Sequence, residues 1–157
     1  MKQDRFLIAI LVAIGLLAVA ALVLFFARPQ EQSYGDDSTP AGVVRNYVLA
    51  LQQNDYEKAY EYLSTDADMP TASEFRRVFL SQELDVTQVS VQIQESEQAA
   101  KEGIVKLVLI HGNGSPFQNS WHESTNAVLV EEQGAWKIVS MPYPYWYWDW
   151  YTLTPPR

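Results

Sequence analysis

The stretch at residues 39–63, TPAGVVRNYVLALQQNDYEKAYEYL, decides the fold. Ala41, Val44, Tyr47, Val48 and Leu51 recur at helical spacing and form one apolar stripe, with Arg45, Asn46, Gln52 and Gln53 outside it. Thr39 is placed to cap this helix, and Pro40 to take its first position, where a missing N–H costs nothing. Asn54, with Glu57 three residues on, has the spacing of a capping box for a second helix. The stripe of that helix is Tyr56, Ala59, Tyr60 and Leu63. Side chains of this size stabilise by roughly 1.5–3 kcal/mol each when fully buried, so the pair of helices needs a cover.

The rest of the chain can supply one. Thr71 and Glu74 form another capping box, opening a short helix that buries Phe75, Val78 and Phe79. After Leu80 the period becomes two: Val89, Val91 and Ile93 alternate with Ser90, Gln92 and Gln94, as in a half-buried strand. Residues 95–102 read as a polar turn. The run 104–110, IVKLVLI, is apolar on both faces except at Lys106 and reads as a central strand. A Gly- and Pro-containing loop follows, 111–119, HGNGSPFQN. Residues 121–132 make a further strand with its buried centre at 127–130. Glu132-Gln133-Gly134 turns tightly into 135–141, where Trp136 and Ile138 share a face. Helices first and four antiparallel strands after them predict an α+β domain, its helices packed in a curved sheet.

Upstream lies a charge-free run at 6–27, FLIAILVAIGLLAVAALVLFFA. At 1.5 Å per residue it reaches about 33 Å, enough for the roughly 30 Å hydrocarbon layer. Lys2 and Arg5 precede it; Arg28, then Glu31, Asp36 and Asp37, follow it. That asymmetry predicts a single-pass cell-membrane helix with the N-terminus inside and the bulk of the chain outside. Cleavage as a signal peptide at Ala18-Val19-Ala20 would leave an apolar stub at 21–26, so the anchor reading is preferred. The predicted layout is a cytoplasmic end at 1–5, the span at 6–27, a polar linker at 28–38, the α+β domain at 39–141 and an aromatic tail at 142–157.

Composition narrows the function. The chain has 157 residues and no cysteine, which removes disulfides, thiolate chemistry and Cys-type zinc sites. With 19 Asp and Glu against 11 Lys and Arg, net charge −8, it repels phosphate backbones, so nucleic acid is not an expected partner.

The helical run, extended to Ser64, resembles the opening helix pair of the nuclear-transport-factor-2-like superfamily. Within it the resemblance is to small membrane-anchored, lumazine-binding-like domains of unknown function; a similar segment opens the non-catalytic N-terminal domain of some penicillin-binding proteins. The hairpin VLVEEQGAWKIVSM is similar to the superfamily's last two strands, with Gly134 at its turn. The resemblance covers residues 40–141 and implies a cystatin-like cone, a bent sheet curled around the first helix, often with a pocket at its open end. Catalytic members place acids, tyrosines or histidines inside that cone.

Candidate polar groups for such a pocket are Tyr47, Tyr60, His111 and His122. The histidines could serve as base or ligand, but no third ligand stands at metal spacing and His122-Glu123 lacks the HExxH frame. The tyrosines lie on the helix stripes, where core packing with a hydrogen-bonded tip is the plainer role. Asp66 and Asp68 lack the rest of a calcium loop, and Gly112-Asn113-Gly114 lacks the third glycine of a dinucleotide fingerprint. No metal or other cofactor is predicted.

The tail 143–151, YPYWYWDWY, is aromatic at every position but Pro144 and Asp149. In an extended chain Trp146, Trp148 and Trp150 would line one side, and Tyr143, Tyr145, Tyr147 and Tyr151 the other. Three uses present themselves: closing the core, sitting at a membrane interface, or stacking on a ligand such as the sugar rings of a cell-wall polymer or a flat heterocycle. The expected function is a non-catalytic, membrane-tethered binding module of the cell envelope. The alternatives are a small isomerase- or hydratase-type enzyme using a polar group in the cone, and a structural subunit docked to an envelope protein by the tail.

Overall fold

A computed structural model of the chain describes residues 3–26, 33–65, 69–112, 120–148 and 150, with the side chains at 3–6 and 24–26 left aside. It forms two compact units, Met1–Ser33 and Tyr34–Arg157. The first holds one helix, α1 (Gln3–Phe26), whose 24 residues take in positions 6–26 of the predicted span, and whose side chains at 7–23 are all exposed. Among the described residues no helix is long and apolar enough to cross a membrane.

The second unit is α+β. Its first helix, α2 (Pro40–Gln52), starts as the sequence predicts: Thr39 accepts a hydrogen bond from the Gly42 N–H at 3.1 Å, and Pro40 is the first helical residue. Val44, Tyr47, Val48 and Leu51 are buried, and so are Val43, Leu49 and Ala50, so the helix is covered nearly all round. The stripe is therefore wider than predicted, and Asn46 corrects the reading outright. It is only 1% exposed, because its side-chain amide clamps the Gly35 peptide, donating to the carbonyl and accepting from the N–H, both at 2.9 Å.

The next helix, α3 (Tyr56–Glu61), is capped by Asp55, not Asn54; the Asp55 carboxylate accepts from the Lys58 N–H at 3.1 Å. Asn54 instead takes a left-handed φ of 59° just past α2, a conformation asparagine tolerates better than most residues. Leu63 lies beyond α3, where the chain bridges to the sheet: Ser64 donates to the Ile138 carbonyl at 2.9 Å and Ile138 to the Tyr62 carbonyl at 2.8 Å. Helix α4 (Ala72–Leu80) carries the predicted capping box, with Thr71 and Glu74 bonded in both directions, and buries Phe75, Val78 and Phe79.

The sheet is an antiparallel meander, β1 (Val89–Ala99), β2 (Glu102–His111), β3 (Trp121–Glu132) and β4 (Ala135–Ser140), in that order. The polar stretch after residue 94 is strand, not turn. A bulge between Ile93 and Glu95 lets β1 run on as a solvated edge, and the turn shrinks to Ala100-Lys101. The alternation signal fades there because both faces are wet. Glu95 and Glu97 of that edge hold Lys106 of β2 at 2.9 and 2.6 Å. β2 is the central strand expected, with Val105, Leu107 and Leu109 fully buried. Gln133 and Gly134, both at positive φ, make the two-residue turn into β4. A second bulge, between Val128 and Leu129, helps bend the sheet. α2 packs against β1, β2 and β4. The approach is tight at Gly103, where a Cβ would come within 2.7 Å of the Pro40 ring.

Past Met141 the chain does not extend. Tyr145 donates back to the Pro142 carbonyl at 2.9 Å and Trp150 to the Tyr147 carbonyl at 3.0 Å, two turns in succession. The predicted alternation of faces fails for that reason. Tyr145, Trp146 and Trp150 go inward, while Tyr143 (66% exposed) and Trp148 (78% exposed) face out.

Candidate functional site

The interior between α2 and the sheet is where a pocket would lie, and the chain fills it with its own tail. Tyr145 is fully buried, and its hydroxyl donates to the Val89 carbonyl at the start of β1, 2.6 Å away. Burial pushes its phenol pKa up to about 12. Tyr47, also fully buried on α2, donates its hydroxyl to the Tyr145 carbonyl at 2.7 Å. Trp150 stacks on Phe75 at 5.1 Å between centroids, and meets Trp146 edge to face at 5.5 Å. The Trp146 indole N–H reaches the Trp150 carbonyl at 3.3 Å. The result is an aromatic plug whose polar tips are all matched; among the described residues no buried side-chain polar atom lacks a partner.

The other candidates are dispersed. Tyr60, half-buried on α3, packs edge-on against Phe75, and its hydroxyl donates to the Pro70 carbonyl at 2.9 Å. His111 ends β2 on the inner face. It lies flat on the Trp121 ring of the facing strand at 3.8 Å, and its Nε2 is 3.1 Å from Glu123. His122 lies on β3 between Trp121 and Glu123, so its side chain takes the opposite face of the sheet, exposed. Tyr47, Tyr60 and the two histidines therefore do not converge. Tyr147 is partly buried beside Trp150. Tyr151, Asp66, Asp68, Asn113 and Gly114 lie outside the described residues. Among the described residues no group of three His, Asp or Glu side chains could hold a metal ion. The buried polar side chains there, tyrosines apart, are Asn46 and Ser64, and neither is ionisable.

Several arrangements escape a linear reading. Ser64 and Thr65 donate to the Glu132 carboxylate across the sheet–helix junction; burial raises the Glu132 pKa, but these bonds outweigh it and hold the group below the usual range. The His111–Trp121 pair was within reach, since the two residues flank one loop and must oppose each other if it closes a hairpin.

With this geometry in view, comparison with solved structures gives one clear result. A SEC-C motif containing protein from Rhodopseudomonas palustris superposes with a TM-score of 0.50 at 12% identity, over 68% of this chain and 79% of that one. The likeness is one of fold. An NTF2-like protein from Campylobacter jejuni (TM-score 0.44, 13% identity, 63% and 95% covered) and a cystatin fold protein from Novosphingobium aromaticivorans (0.43, 14%, 68% and 100%) also match. The architecture shared with the Rhodopseudomonas protein is an α+β fold, helices packed on a four-stranded antiparallel meander, and an identity this low carries nothing about activity. No protein-family model matches the sequence, and no curated protein sequence matches it either.

Proposed function

We propose that the protein is a non-catalytic binding module, tethered to the cell membrane by α1 with its α+β domain outside. The observation that carries this reading is the bond from Tyr47 to the Tyr145 carbonyl: the one tyrosine best placed to act inside the cone is engaged by the chain's own tail. An isomerase or hydratase of this fold needs a polar group facing an open cavity, and the plug occupies that space. The tether is supported by the charge-free run at 6–27 and by the full length of α1, 24 residues or about 36 Å. Contact with an envelope protein, cell-wall polymer or lipid falls to the outward rings, Tyr143 and Trp148.

Orientation is tested by Ser33→Cys in a chain that has no other cysteine. An impermeant thiol reagent should label intact cells, and labelling only after lysis would reverse the topology. The contact role is tested with a photocrosslinking amino acid at Trp148, and a control at Gln92 on the solvated face of β1. Adducts at 148 and none at 92 are expected; equal or no adducts at 148 would remove the role from the tail.

A further inference from the structure

We infer that the groove between α3 and α4 binds an amphiphilic monoanion, an apolar body carrying a single carboxylate or sulfonate. The groove encloses about 650 Å³, the size of sites that take drug-sized ligands. Its floor is Tyr56 and Tyr60, and both rings are fixed. Tyr56 stacks on Phe79 at 5.6 Å and donates its hydroxyl to the Asn54 side chain at 2.9 Å, and Tyr60 is held by Phe75 and the Pro70 carbonyl. A floor already ordered loses little entropy when a ligand covers it.

Leu80 lines the groove from α4 and is 58% exposed, an aliphatic side chain that an apolar ligand would take out of water. Arg76 lies one helical turn before it on the same face of α4. Arg77 is paired with Glu83 at 3.3 Å, whereas Arg76 makes no ion pair among the described residues. Its guanidinium offers a planar fork of donors matched to a carboxylate. Arg77 also lines the groove but is held by Glu83, and Glu57 lines it from α3, so the lining leaves one cation for an anionic group and disfavours further negative charge. The site goes beyond the binding role proposed above: Tyr47, Tyr143, Trp148 and the rest of the described tail do not line it, so the two fail separately.

The probe is dodecanoate carrying a diazirine, photolysed with the full-length protein and mapped by peptide mass spectrometry. Adducts are expected on residues of α3 and α4. Arg76→Ala should cut labelling about tenfold, the worth of one charge-assisted hydrogen bond, and Arg76→Lys should restore part of it. Ala72→Trp, which fills the groove from an exposed position, should abolish labelling; either variant decides the matter if the other fails to fold. Competition by dodecanoate points to an acyl-chain ligand and competition by 8-anilinonaphthalene-1-sulfonate to an aromatic one, and both support the site. Adducts confined to α1, labelling unchanged in the folded variants, or equal competition by uncharged dodecanol would each overturn it.

Discussion

Tyr47 is the residue on which the interior turns. Its hydroxyl is one end of a two-step chain, Tyr47 to the Tyr145 carbonyl and the Tyr145 hydroxyl to the Val89 carbonyl, that ties α2, the tail and β1 together. Removing it leaves a buried carbonyl with one partner fewer. Tyr47→Phe should therefore lower stability by about 1–2 kcal/mol in urea unfolding with the m-value unchanged, and an unaltered midpoint would mean the bond contributes nothing net. Gly103 is set by space, not by hydrogen bonding. Gly103→Ala drives a methyl against the Pro40 ring, and a loss of about 1–3 kcal/mol is expected by the same measurement.

At the scale of elements, the tail belongs to the core. Tyr145, Trp146 and Trp150 are each buried, and burial of such side chains contributes roughly 1.5–3 kcal/mol apiece, a sum comparable to the whole stability of a small domain. A chain ending at Pro144 should lose its cooperative melting transition or melt at least about 15 °C lower. A truncated protein melting like the parent would instead make the tail a strap laid on a finished domain. The first turn of α4 and the β3–β4 hairpin were legible from local chemistry alone, a Thr71/Glu74 capping box and a Gln133-Gly134 turn. β1 was half legible: periodicity carried Val89 to Ile93 and failed where the strand has no dry face.

For the molecule as a whole, pH reports the packing. Tyr145 is raised to about 12 by burial, and Tyr34 to about 12 by burial and then by its hydrogen bond to Asp55. Both pKa values lie above the unfolded value near 10, so the folded state holds these protons more tightly. The stability they contribute is complete below pH 10 and is lost as pH rises towards about 12. Spectrophotometric titration should show these two tyrosines ionising late, together with alkaline unfolding; ordinary titration of every tyrosine in the folded protein would contradict the buried plug. Glu132 acts in the opposite direction. Its depressed pKa adds stability above the unfolded carboxylate value near 4.3, lost as pH falls through the lower folded one.

The sequence alone determined the class of fold: helix-spaced apolar residues in one half, alternating ones in the other, and local caps and turns between them. Those signals are short-range, and side-chain period and capping chemistry are sufficient to write them. What it left open was everything that depends on residues far apart in the chain. Asn46 looked like a surface residue until the Gly35 peptide came to meet it, and the tail looked like a two-faced strand until its turns sent Tyr145, Trp146 and Trp150 into the cone. Whether that cone stands open or filled is decided by contacts spanning some 98 positions, from Tyr47 to Tyr145, and no local pattern encodes a contact of that span.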